Sequence, residues 1–149
     1  MSEVKNFTPQ DYIYKDILDI ILSNYEDTKL LDSLKLTLEN ASDIYNYSEE
    51  YFGEDIEDII QEVTYDYRHN GEKCNLPPKH YSRYYEVDFV VAEIDDKWVG
   101  WHYWYGGGKH GEPESIDWIE DAEFVNIESE EEVTVIKRVF KREKKDELL

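Results

Sequence analysis

The chain reads as an α+β protein, with a helical N-terminal half packed on a roughly four-stranded antiparallel sheet. Two observations predict this. Apolar residues recur at helical spacing up to about residue 70, and beyond Pro77-Pro78 the period changes to strict alternation. At 149 residues one hydrophobic core suffices, so a single domain is expected. Within it, 8–70 is helical, 84–142 is sheet and 143–149 is a flexible tail.

The first element opens at Thr8-Pro9, a cap followed by a first-turn proline, with Asp11 suited to the positive helix end. Tyr14, Ile17, Leu18, Ile21 and Tyr25 carry this helix over 9–25. A second helix over 28–40 places Leu30, Leu31, Leu34 and Leu38 on one side, and the Tyr-, Ser- and Asn-rich stretch 41–52 has no firm assignment. The third helix, 54–69, has an apolar stripe at Ile56, Ile59, Ile60, Val63 and Tyr67, and Asn70-Gly71 supplies its stop.

Strand signals follow. Tyr85, Val87, Phe89 and Val91 alternate with Glu86 and Asp88, as in a half-buried strand. Asp95-Asp96 turns the chain into a second strand, Trp98–Tyr105, with large groups on both faces and Gly106-Gly107-Gly108 at its end. A third strand falls within 116–127 and a fourth at Val133–Phe140.

Charge is the strongest functional signal. The stretches 36–67 and 110–136 contain no Lys or Arg and ten carboxylates each, and together they account for the whole formal net charge of −20. Such a charge and a pI near 4.4 exclude nucleic acid and anionic membranes as ligands, because a phosphate binder needs a basic footprint. Concentrated negative charge instead steers basic partners. Hydrophobic content of 40% is too rich for a disordered acidic tail. One cysteine, Cys74, permits no internal disulfide, and no apolar run reaches the length of a membrane span, so a cytoplasmic protein is expected.

On the third helix Glu54, Asp58, Glu62 and Asp66 repeat at i+4, rising about 6 Å per step. That spacing is similar to neighbouring phosphates on one nucleic-acid strand. Like charges at i, i+4 destabilise an isolated helix by roughly 0.2–0.5 kcal/mol per pair, so local stability did not select the stripe. The plainer alternative is a solvated helix face. The second acidic run adds Glu120, Asp121, Glu128, Glu130, Glu131 and Glu132 to the candidate surface. Tyr103 and Tyr105, beside the glycine-rich loop, are candidate anchors at an exposed rim. Lys137–Lys145 holds six of the sixteen basic residues; it reads as a protected edge strand or a segment that binds acid on its own chain or a second copy.

Catalytic signals are weak. The loop around Lys109 lacks the Ser/Thr of a phosphate loop, and His80, His102, His110, Glu112 and Glu114 show no ligand spacing. A Cys74–His80 pair is the only nucleophile candidate. No catalytic residue, cofactor or metal site is therefore expected.

The run Trp101-His102-Tyr103-Trp104-Tyr105-Gly106-Gly107-Gly108-Lys109-His110-Gly111-Glu112-Pro113-Glu114, followed by Asp117-Trp118, resembles a core of small bacteriophage and mobile-element proteins, over roughly 84–126. In size and acidity the chain is also similar to phage anti-restriction and anti-CRISPR inhibitors, some of which mimic nucleic acid. The resemblance implies a non-catalytic inhibitor acting in the host cytoplasm on a basic nucleic-acid-binding host protein. It transfers no functional residue. An immunity protein masking a toxin nuclease is the alternative, and a small-ligand or metal-dependent enzyme centred on His102 and His110 a second one. Oligomeric state stays open, with a homodimer among the options.

Overall fold

The computed structural model describes residues 6–24 and 35–143. Among the described residues four helices precede the sheet: α1 (Pro9–Asn24), α2 (Ala41–Asn46), α3 (Ser48–Phe52) and α4 (Ile56–Tyr67). Four strands, β1 (Glu72–Lys73), β2 (Glu86–Ile94), β3 (Lys97–Tyr105) and β4 (Glu123–Val125), pair antiparallel in the order β1-β2-β3-β4. The α+β architecture is thus the one that the periodicity predicts.

The start of α1 follows its sequence signature. Asp11 Oδ2 accepts from the Thr8 N–H at 2.9 Å while Thr8 Oγ1 accepts from the Asp11 N–H at 3.2 Å, a reciprocal cap. Ile13, Ile17, Leu18 and Ile21 are fully buried against α2, α4 and the sheet. The predicted helix 28–40 lies mostly outside the described residues, and its described end, 35–40, is loop and turn. The stretch 41–52 forms α2 and α3, each too short to stand without tertiary support.

The α4 helix is shorter than the predicted 54–69. Glu54 and Asp55 form the turn before it, and Arg68–Asn70 continues as one 3-10 turn. Gly71 is not a left-handed stop, since its φ is −77°. Its missing side chain serves packing instead: a Cβ there would stand 2.5 Å from Val90 Cγ2.

The long hairpin β2–β3 is the centre of the sheet. Ile94 pairs with Lys97 across Asp95-Asp96, both with positive φ (46° and 69°), so two aspartates take the place that Asn-Gly usually fills. Three consecutive left-handed glycines, Gly106 to Gly108, end β3. Gly100 is needed because the Phe89 ring lies where its Cβ would be.

Two expectations for the sheet are corrected. First, β2 is covered on both faces rather than one. Val90 and Ile94 join Val99, Trp101, Tyr67 and Trp118 in the helix-side core, while Phe89 and Val91 are buried on the other face. Glu86 and Asp88 share the helix-side direction but sit at its margin, opposite Tyr105 and Tyr103. Second, Val133–Phe140 is not a strand; 126–143 has neither helix nor strand and is exposed throughout. The fourth strand is the two-residue β1. β-propensity expresses itself only where an edge offers a partner, and this segment has none within the described chain. No described helix is long and apolar enough to cross a membrane.

Candidate acidic interface

Burial of Ile56, Ile60, Val63, Thr64 and Tyr67 fixes the orientation of α4. At about 100° per residue, Asp58 and Glu62 fall on the side away from the core and Asp66 on the flank, and Glu54 extends this slanting row from the preceding turn. All four are exposed, and none pairs with a described Lys or Arg. Carboxylates also crowd one another nearby. A hydrogen bond shared with Glu57, reinforced by its charge, raises the Glu49 carboxyl above the ordinary glutamate value.

Part of the second acidic run reaches this helical layer. Gln10 Nε2 donates to the carbonyls of Ile119, Glu120 and Ala122 at 2.9–3.1 Å, tying that segment to the start of α1. The rings of Tyr14 and Tyr45 stack at 4.3 Å, and the Tyr45 hydroxyl meets Thr64 Oγ1 of α4 at 2.9 Å. Burial raises both phenols, and Asp117 adds to the shift of each; Glu120 and Asp11 add to that of Tyr14. Asp117, Glu120 and Asp11 therefore surround one tyrosine pair on the helical side.

The remainder of the run is elsewhere. Glu128 and Glu130 line a cleft floored by Val91 and Trp98, on the sheet face opposite the helices. Glu131 and Glu132 follow in the exposed segment, and Asp121 stands 3.9 Å from His80 Nε2. The sheet separates Glu128, Glu130 and Asp121 from the α4 row.

Tyr103 and Tyr105 are half-buried, on the helix-side face of β3 at the end of α4. Their rings stack at 5.7 Å. The Arg68 guanidinium lies 4.9 Å over the Tyr103 ring, and the Tyr103 hydroxyl meets His69 Nδ1 at 2.9 Å. Partial burial and then the Asp88 and Glu86 carboxylates raise the Tyr105 phenol. Arg68 and His69, in the 3-10 turn that follows α4, thus hold Tyr103 beside the end of that helix.

No protein-family model, curated protein or solved structure matches this chain. Its own geometry therefore carries the functional argument.

Sequence reasoning missed Arg68. It is buried, and its Nη1 donates to the Trp104 carbonyl at 2.7 Å while its own carbonyl accepts from Trp101 Nε1 at 3.2 Å. Its Nε has no partner among the described residues. The signal was its position, the first cation after the acidic helix.

His102 was a metal or catalytic candidate and is instead packed in the sheet. Its Nε2 accepts from the Lys79 N–H at 2.9 Å, its ring meets Phe89 at 5.3 Å, and His80 stands 4.9 Å away. Burial, helped by His80, lowers its pKa, although Asp121 and Glu123 oppose the shift. His110 is exposed in the glycine-rich turn with Glu112 and Glu114 in the turn beyond, and no group of three or more ligating side chains among the described residues could hold a metal. Cys74 makes a weak 3.7 Å contact to the Phe89 carbonyl, while His80 faces His102 and Asp121.

Proposed function

We propose that this chain is an acidic, phage-type inhibitor that occupies the nucleic-acid-binding surface of a basic host defence protein, such as a CRISPR effector or a restriction enzyme. One observation carries the reading: Glu54 in the turn before α4, with Asp58, Glu62 and Asp66 on the helix, forms an exposed row without a described cation to neutralise it. A rigid helix with carboxylates at about 6 Å intervals offers a Lys/Arg groove the charge pattern of a phosphate strand. Asp117 and Glu120 widen the field on the helical side, and Tyr103 and Tyr105 supply apolar contact beside it. Basic side chains arriving there relieve the mutual repulsion of these carboxylates.

The test is competition. The tagged chain captures its target from host lysate, and nucleic acid added in excess displaces it. Asp58→Lys combined with Glu62→Lys weakens capture by at least about tenfold, as expected when rows of interfacial charge pairs become repulsive. Undiminished binding by the folded double variant refutes the mimic surface. Capture that nucleic acid does not displace favours a mask of the immunity-protein kind.

A further inference from the structure

The face of the sheet remote from the helices holds an open cleft of about 380 Å³. Its floor is apolar: Val91 of β2, Trp98 of β3 and Val125 of β4, with Leu76 and Ile127 on the walls. Its rim is acidic, with Glu72 on one side and Glu128 and Glu130 on the other. Beyond that rim, 137–142 carries the opposite character. Val139 and Phe140 are 85% and 84% exposed, between Lys137-Arg138 and Lys141-Arg142. None of these four cations pairs with a described carboxylate.

We infer that Lys137–Arg142 of one copy seats Val139 and Phe140 in this cleft of a second copy, with its cations on Glu72, Glu128 and Glu130. Three features support the pairing. An apolar dipeptide bracketed by cations matches an apolar floor bracketed by glutamates in both shape class and charge. Exposed Val, Ile and Phe side chains along one segment are what an unfilled interface leaves on a monomer. Reach favours a second copy over the same chain: 131–143 contains no Gly, Pro or Asn to reverse direction, so extended chain carries Phe140 up to about 35 Å from Glu130. Reciprocal exchange, with each segment in the other copy's cleft, satisfies both clefts at once and closes as a two-fold dimer. It uses a surface separate from the α4 row and stands independently of the inhibitor reading.

Sedimentation velocity of the full chain over a concentration series tests this. The wild type shows a concentration-dependent monomer–dimer equilibrium. Phe140→Asp raises the dissociation constant at least about tenfold, the scale of losing an interface anchor. Glu128→Lys with Glu130→Lys does the same, and adding Lys141→Glu with Arg142→Glu restores the dimer. These positions are exposed, so circular dichroism stays unchanged. A chain that is monomeric throughout, or a dimer indifferent to Phe140→Asp, overturns the inference. Cys74, the only cysteine in the chain, reports the seat itself. In Phe140→Cys, mild oxidation yields a covalent dimer that Cys74→Ser abolishes. A disulfide closing within one chain would assign the cleft to its own tail, and a dimer with no such cross-link would place the segment elsewhere; either result overturns the proposal.

Discussion

At the residue scale, His102 and Arg68 show how polar groups are held inside an acidic protein. The Lys79 N–H occupies His102 Nε2, so the neutral ring keeps its proton on Nδ1, which is buried without a partner among the described residues. Protonation would bring a full charge into that site. Because the folded-state pKa lies below the ordinary 6.5, the contribution of His102 to stability is complete above 6.5 and is lost as pH falls from there through the lowered value. Urea unfolding midpoints should therefore drop below pH 6.5, and His102→Gln, which keeps an acceptor and cannot titrate, should flatten that slope. Arg68 secures the end of α4 to β3 through the Trp104 carbonyl and the Tyr103 ring. Arg68→Met removes the donor and leaves a carbonyl unpaired, for an expected loss of about 1–3 kcal/mol in chemical denaturation.

At the element scale, α4 and β3 are the two scaffolds that matter. The α4 helix separates its functions by face, with one side in the core and the other presenting Asp58, Glu62 and Asp66. Trp101, fully buried on β3, meets both Trp118 (5.2 Å) and Tyr67 (6.0 Å), so it joins sheet, helix and the loop before β4. Trp101→Ala should cost about 3–5 kcal/mol, measured by the same unfolding series. The α4 stripe was legible in the chain because a 3.6-residue period sorts apolar from acidic positions without reference to anything else. The β2 strand was misread for the converse reason. Alternating Glu86 and Asp88 describe only its first residues, and whether a sheet's second face is covered depends on a distant loop, here 74–84, that no local pattern announces. Val133–Phe140 reads as a strand in composition and is not one, since ladder partners are supplied by other parts of a fold.

At the scale of the whole molecule, the net charge of −20 sets a repulsion that the core must overcome. Few described ion pairs offset it: Lys15 bridges Asp19 (3.1 Å) and Asp95 (3.5 Å), and Lys79 meets Glu123 at 2.7 Å. Burial of the Lys15 ammonium works against its charge, yet the two carboxylates outweigh it and raise its pKa. Moderate sodium chloride should consequently raise the thermal midpoint, because screening weakens long-range repulsion more than these close contacts. A midpoint that falls with salt would mean that attractive pairs dominate.

Read along the chain, composition and periodicity specify an acidic α+β domain, the cap of α1, the two-sided α4 helix and the hairpin through Asp95-Asp96. These depend on neighbours within a few residues and on summed charge, which a linear sequence displays in full. Three other features arise from contacts between distant segments. The sheet parts Glu128 and Glu130 from the α4 carboxylates, His102 is buried beneath His80, and Tyr103 is held by Arg68 and His69 at the end of α4. Each depends on which face of a strand points at which partner, and a shift of one residue in register would reverse it. Pairing across the sheet settles that choice, because it is won by burying Trp101 and Val99 on one face with Phe89 on the other and not by any preference those residues carry alone.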